Sequence, residues 1–479
     1  MTKGGFFFLQ WSTFLRTSRG SEFVLLKAKI TFKQINRLAI PAIISGIAEP
    51  LLSITDTAIV GNVDLNPVES LAAVGIAGSF LSALFWILAQ TRSAISAIIA
   101  QYLGAQRLEE VRSLPAQIIA INVLISLLLY LFTIFFIREI FQLYNAQGII
   151  LNYAVDYYEV RAIGLPLTLF TFSVFGVFRG MQNTFWPMVI SIVGTVINIV
   201  LDYILVYGID GIIPAMHIQG AAYASVIAQF VMAVIAFVLM LKKTPFTFKI
   251  SLPFNKEIKR LISLSFNLFI RAAALNIALY FANAYATKYG DVFIAAQTIA
   301  FQIWLFFAFF IDGYSSVGNI VSGRLLGEKD YTNLWKLSVD LTKYAVVIAL
   351  ILGLVCVLFY EPIGSLFTQD SLVLSSFYAI FWMVLCMQPL NAIAFVFDGL
   401  FKGLAEAVAL RNTLLIATFL GFIPVLLVSD YFNLKLYGIW LAFTVWMFLR
   451  MAILVVKFRK KYLRISWPVT DRLIGLLCH

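Results

Sequence analysis

Runs of apolar residues, each long enough to cross a bilayer as a helix, follow one another along the whole chain, and polar residues gather in the short segments between them. A span needs about 20 such residues. The pattern predicts twelve helices, with cores at 38–60, 70–101, 113–137, 152–178, 186–207, 219–241, 261–287, 292–323, 337–360, 372–401, 410–429 and 435–456. The expected fold class is an all-α polytopic membrane protein.

Composition agrees and excludes a soluble globular domain: 61% of the 479 residues are hydrophobic and only 12% charged, with a mean hydropathy of +0.93. A net charge of +11 is compatible with nucleic-acid binding, but the placement of the 35 basic residues argues for a membrane instead. With a cytoplasmic N-terminus, 27 of them fall in the tails and the segments on the inner side, against only Arg138, Lys288 and Lys435 on the outer side. That asymmetry follows the positive-inside rule and requires an even number of spans. Both termini are expected in the cytoplasm.

Three short matches share one displacement. Arg37 and Leu38 recur as Arg260 and Leu261, Leu103 and Gly104 as Leu326 and Gly327, and Phe178-Arg179-Gly180 as Phe401-Lys402-Gly403, each 223 residues on. The chain therefore reads as two six-helix lobes. Six is even, so the lobes share one orientation and are related by a pseudo-two-fold axis along the membrane normal. The expected organisation is an interfacial or cytoplasmic extension at 1–34, an N-lobe at 35–241, a cytoplasmic linker at 242–260, a C-lobe at 261–456 and a basic tail at 457–479.

Polar residues inside the spans carry the candidate chemistry, because a carboxylate in hydrocarbon costs about 2.5–3.5 kcal/mol on insertion scales and needs a use or a partner. Asp56 in helix 1 and Asp202 in helix 5 fall at similar depth in the outer half of the bilayer. Asn198 lies one turn before Asp202, and Glu49 two turns before Asp56 on the same face. With no Lys or Arg adjoining, this group is expected to be a titrating or ion-binding site rather than a network that only fixes packing.

The C-lobe differs. Arg271 in helix 7, Asp312 in helix 8 and Asp398 in helix 10 are expected to form a buried polar network in which Arg271 pairs with one of the acids. Arg92, late in helix 2, either snorkels to the inner surface or pairs with an acid. Pro41 and Pro50 lie inside helix 1, each removing a backbone hydrogen bond and favouring a bend below Asp56.

Cys356, Cys386 and Cys478 form no motif, His217 and His479 are too far apart for a metal cluster, and the dipeptide Gly-Lys of a Walker loop does not occur. No cofactor, resident metal or ATPase domain is expected, and any active transport must run on an ion gradient.

DTAIVG closing helix 1, AQYLGAQRLEEV after helix 2, FRGMQNT after helix 4 and NIVLD in helix 5 resemble the multidrug and toxic compound extrusion (MATE) family. IDGYSSVGNIVSGRLLG in helix 8 and FVFDGLFKG followed by LRNT are similar to its DinF branch, the likeness covering about residues 35–460. The resemblance implies a secondary antiporter in the bacterial inner membrane, not an enzyme. Such a protein exports bulky, often cationic organic compounds in exchange for H+ or Na+ by alternating access. It also implies an N-lobe acidic site at Asp56, Asn198 and Asp202 and a bending proline at Pro41. Members with a cation site in the C-lobe carry acids in helices 7 and 10, where this chain has Arg271 and Asn391, so coupling is expected in the N-lobe. Glu49 has no assigned counterpart.

The DinF resemblance implies protons as the coupling ion ahead of Na+, although Asp, Asn and the hydroxyls of Ser53 or Thr57 would equally suit a hard cation. A lipid-linked precursor flippase is the alternative, and it would need a cationic central cavity. A gated channel fits two non-identical lobes poorly. The expected partners are small organic substrates and the lipid bilayer, without nucleic acid, and a monomer suffices.

Overall fold

The computed structural model describes residues 30–61, 67–144, 146–209 and 211–463, and leaves out the side chains of residues 49–54, 57, 67 and 68. The helices are α1 (Phe32–Val60), α2 (Pro67–Leu88), α3 (Gln90–Gly104), α4 (Leu114–Leu143), α5 (Gly148–Ala162), α6 (Gly164–Gly180), α7 (Phe185–Tyr207) and α8 (His217–Lys243) in the first half. The second half holds α9 (Glu257–Tyr289), α10 (Asp291–Glu328), α11 (Tyr331–Leu358), α12 (Tyr360–Phe367), α13 (Ser371–Cys386), α14 (Gln388–Gly403), α15 (Ala407–Ile416), α16 (Ile423–Tyr431) and α17 (Lys435–Phe458). Among the described residues the only extended pairing is an isolated bridge between Ile209 and Ile213.

Nine helical segments are long and apolar enough to cross a membrane, and two bent pairs, α5 with α6 and α13 with α14, bring the number to 11 among the described residues. With α1, a helix of 29 residues, the architecture is the twelve-span one expected from the pattern of apolar runs. Apolar periodicity did not anticipate the bends, 45° in the first pair and 48° in the second. Their cause is local: Pro166 and Pro389 stand in the first turns of α6 and α14, where each removes a hydrogen bond to the preceding turn. A π-helical turn at Ala417–Phe422 precedes Pro424 in the same way and splits α15 from α16. By contrast, α1 runs as one helix across Pro41 and Pro50. A bend at those positions would belong to another conformation.

The displacement of 223 residues reappears in the elements. The first bent pair begins at Gly148 and ends at Gly180, and the second begins at Ser371 and ends at Gly403. Packing partners repeat as well: α1 lies on α7 as α9 lies on α15, and α3 on α6 as α10 on α14. Six spans form each lobe, with residues 244–256 connecting them. Residues 1–29 of the expected N-terminal extension and 464–479 of the expected basic tail lie outside the described residues.

The lobes meet on the face that carries the basic residues. There α3 crosses α10 at backbone distance. A Cβ on Gly104 would lie 2.0 Å from the Arg324 carbonyl oxygen, and a Cβ on Gly327 would lie 2.0 Å from that of Gln101. The two contacts exchange under the same displacement, so this is a self-complementary contact about the pseudo-axis. Hydrogen bonds surround it. Gln101 Nε2 donates to the Gly403 carbonyl at 2.8 Å, Arg260 Nη2 to Gln101 Oε1 at 2.6 Å, and Gln182 Nε2 to the Ile320 carbonyl at 2.8 Å. Tyr314 reaches Asn36 Oδ1 at 2.7 Å and Tyr102 reaches Glu257 at 3.2 Å. These hydrogen bonds between the lobes all lie on one face, so the molecule is closed there.

Any side chain at Gly104 or Gly327 must push α3 from α10. Gly104→Val or Gly327→Val is therefore expected to open the basic face. Spin labels at Glu109→Cys and Lys336→Cys, in a background free of native cysteines, should then move apart in double electron–electron resonance. An unchanged distance distribution in both variants would contradict this account of the closure.

Candidate coupling site and inter-lobe charges

In the N-lobe, α1 is held against α7 at three levels. Thr184 Oγ1 donates to the Leu38 carbonyl at 2.9 Å, the Ser45 and Ser191 hydroxyls meet at 3.0 Å, and Tyr207 donates to the Ile59 carbonyl at 3.0 Å. Between the upper two levels lie the acids. Asp56 is 4% exposed and Asp202 0%, and the charge of Asp56 acts on Asp202. The Ser225 hydroxyl, on α8, donates to Asp56 Oδ2 at 3.1 Å and accepts from Asn198 Nδ2 at 3.1 Å. Asp56 Oδ1, both oxygens of Asp202 and Asn198 Oδ1 receive no donated hydrogen bond. Two helices, α1 and α7, thus bring four unsatisfied acceptor oxygens into one buried space, and α8 supplies the serine that bridges them.

Two features of this site differ from the sequence expectation. Ser225 connects Asn198 to Asp56, and a serine in a span carries no signal that would mark it. Arg161, at the end of α5, is among the charges acting on Asp202 and stands beside the buried Tyr157. The acids therefore have a basic neighbour, contrary to the expectation of none. Sequence proximity could not show it, because α5 reaches the site only through its packing on α2 and α8. The side chains of Glu49, Pro50, Ser53 and Thr57 lie outside the described residues.

In the C-lobe, Arg271 Nη2 donates to Asp398 Oδ2, both groups buried. Arg450 Nη2 donates to the same oxygen at 2.8 Å. Arg450 is 1% exposed and its guanidinium lies over Trp446 at 4.8 Å and Phe395 at 5.5 Å. Sequence reasoning missed Arg450, which sits in an otherwise apolar α17 opposite α14. Asp312 is not the partner of Arg271. It is exposed at mid-span, and it acts on Arg179 and Lys402. Arg92 lies over the Phe172 ring at 5.3 Å and, with Asp312, acts on Arg179. Asn391 is buried and donates to Gln388 Oε1 at 2.9 Å.

A family profile described as MatE matches residues 41–204 and 268–432, more than half of the chain. The chain belongs to the MatE family. DNA damage-inducible protein F of Escherichia coli K12 is 27% identical over 442 residues, 91% of this chain and 94% of its own. A probable multidrug resistance protein NorM of Bacillus licheniformis is 26% identical over 423 residues, 85% of this chain and 91% of its own. The fold matches a crystal structure of MATE in the bent conformation with a TM-score of 0.82 at 22% identity, over 91% of this chain and 95% of that one. MatE proteins are transporters, and this one is a multi-pass membrane transporter rather than an enzyme.

The two MatE segments contain Asp56, Asn198 and Asp202 on one side and Arg271, Asp312, Asp398 and Lys402 on the other, whereas Arg450 falls beyond them. Its tie to Asp398 gives a direct test. Asp398→Ala would leave two buried arginines without their shared counter-charge, at about 3–5 kcal/mol. Arg271→Met leaves Asp398 bonded to Arg450 and is expected to cost less. Thermal melts of the two purified variants should rank them in that order, with folded yield following.

Proposed function

We propose that this MatE protein is a proton-driven exporter of organic compounds in the cytoplasmic membrane of a bacterium. Both termini and the basic face are toward the cytoplasm, and coupling takes place at Asp56 and Asp202. The supporting observation is that these two carboxylates are buried and act on one another, and that three of their four oxygens receive no hydrogen bond. Like charges this close cannot both persist in a dry site, so the pair holds a proton or another cation between its oxygens. With the proton present, α1 and α7 are drawn together as described above. Its loss leaves two carboxylates in repulsion, only partly offset by Arg161, and α1 moves away, with Pro41 and Pro50 as the places where a helix lacking backbone bonds can bend. The proton enters from outside, because the inter-lobe contacts close the cytoplasmic side and leave this state facing outward. Exchange of the two faces then carries substrate one way and protons the other.

A second reading replaces the proton by Na+. Four acceptor oxygens in one pocket are the kind of ligand set a hard cation takes. The same acids offer counter-charge to a cationic substrate. A monomer, with its two lobes, is sufficient for alternating access.

Proteoliposomes loaded with a panel of organic cations and anions, under an imposed pH or Na+ gradient, test these assignments. Flux of at least one compound should follow the pH gradient in the wild type. Asp56→Asn and Asp202→Asn, which keep shape and remove titration, should abolish the gradient dependence while the protein remains folded. Dependence on Na+ alone would select the second reading, and gradient-driven flux that survives both substitutions would remove the acids from coupling.

A further inference from the structure

The segment that joins the lobes, residues 244–256, leaves the end of α8 and leads into the start of α9. Near its beginning the ring of Phe248 stacks on Phe237 of α8 at 4.6 Å and on Phe170 of α6 at 5.7 Å. Phe237 belongs to an exposed apolar stripe on α8, formed by Phe230, Val234, Phe237 and Leu241 at helical spacing, which is the side turned to lipid. It precedes the last residue of α8, Lys243, by six residues, about 9 Å along the axis. Phe248 therefore folds back from the surface to the edge of the acyl layer.

Further along, the backbone is gripped at two points by Gln117 of α4, a buried side chain. Its Nε2 donates to the Ser251 carbonyl at 2.6 Å, and its Oε1 accepts from the Asn255 amide at 2.9 Å. Asn255 Nδ2 donates in turn to the Glu110 carbonyl at 2.8 Å. Between and beside these anchors stand three large apolar side chains, Ile250, Leu252 and Phe254, which are 54%, 77% and 61% exposed. They occupy alternate positions, as on one side of an extended chain. The charge around them has one sign. Residues 242–260 hold six basic residues and one acid, and that acid, Glu257, is taken by Arg260 at 3.1 Å. Lys242, Lys243, Lys249, Lys256 and Lys259 are all exposed. Exposed apolar side chains interleaved with lysines suit the boundary where acyl chains meet headgroups, since the apolar groups leave water there while the ammonium groups keep it.

We propose that residues 249–256 form a docking strap for acidic phospholipid at the basic face. Ile250, Leu252 and Phe254 enter the edge of the acyl layer, and Lys249 and Lys256, which flank them, hold the negatively charged headgroups. Lipid is the occupant rather than a soluble protein because Phe248 fixes the start of the strap against the lipid-facing stripe of α8. Acidic lipid is favoured over zwitterionic lipid because the lysines leave an excess of positive charge beside the apolar side chains. The strap is also the chain's passage from one lobe to the other, so lipid docked on it fixes the point from which α9 enters the bilayer. The assignment of the basic face to the cytoplasm decides only which leaflet supplies the lipid. Docking itself does not rest on that reading.

Quenching by brominated lipid, with the full chain in nanodiscs, tests the proposal. A bimane probe at Leu252→Cys, in a background free of native cysteines, is read in phosphatidylcholine discs that contain the same small fraction of acyl-brominated phosphatidylcholine or acyl-brominated phosphatidylglycerol. Both should quench it, because the side chain lies in the acyl layer. Phosphatidylglycerol should do so with about fivefold higher apparent association, the worth of one basic residue near an acidic surface. A probe at Glu109→Cys, on the same face but off the strap, should be quenched far less by either lipid. Lys249→Gln together with Lys256→Gln should bring the preference to unity while quenching by phosphatidylcholine persists, and Lys249→Arg together with Lys256→Arg should keep the preference. Both lysines are exposed, so these variants should fold as the unsubstituted chain does. Absence of quenching at Leu252→Cys would put the strap in water, open to a soluble protein, and would overturn the proposal. Equal quenching by the two lipids, or a preference that survives loss of both lysines, would overturn it as well. The discs carry the same lipids in both leaflets and no gradient, so the outcome is independent of chain orientation and of coupling. Docking as expected in a protein without gradient-driven flux would fault the coupling reading alone.

Discussion

Backbone contact between helices at glycine is the constraint on which the arrangement depends. At Gly104, Gly327, Gly180 and Gly403 neighbouring main chains approach closer than a Cβ allows. Lipid tails are as apolar as leucine, so helices in a bilayer gain little from burying apolar side chains against one another. Close packing and interhelical hydrogen bonds supply the attraction instead. Here those contacts do two things. They seal one face of the molecule where α3 meets α10, and they seat α6 on α3 and α14 on α10 at backbone distance.

Charge is partitioned by the same framework. Acids with three of their four oxygens unsatisfied collect inside the N-lobe at Asp56 and Asp202, and basic side chains collect toward the basic face, where Arg271 and Arg450 already use Asp398. Each group would be destabilising in isolation. Their separation by depth and by lobe means that the carboxylates are not neutralised by the arginines, apart from the influence of Arg161. A structure selected only for stability would bring the two sets together. Keeping them apart leaves both available to an external ion or molecule, as the proposed exchange requires.

The pseudo-symmetry of the fold is broken where the chemistry lies. Glycines, bend prolines and packing partners repeat between the lobes, since both halves solve the same packing problem. Asp56 and Asp202 have no acidic counterparts 223 residues on, where the chain has Leu279 and Val425, and Arg271 and Arg450 correspond to Ala48 and Ile227 in the first lobe. Shared scaffolding with unshared charge gives one lobe the buried acid pair and the other most of the fixed positive charge.

The number of spans, the repeat and the two buried acids of the N-lobe could be read from sequence because each is a local property: the length of an apolar run, a constant displacement, a carboxylate where hydrocarbon is expected; the same local rule misplaced Asp312, which is exposed. The bends at Pro166 and Pro389 were also written locally, although apolar periodicity alone passes over them. Which acid Arg271 would choose, Asp312 or Asp398, was not legible, nor was the entry of Arg450, Arg161 and Ser225. Helices separated by tens to hundreds of residues meet there, and the rotation of each about its axis selects the contact. Arg179 and Lys402 show the division most clearly. By sequence they belong with the basic residues that orient the chain in its membrane. Tertiary packing alone, by drawing their helices to backbone distance from α3 and α10, leaves Arg179 buried and Lys402 half-buried.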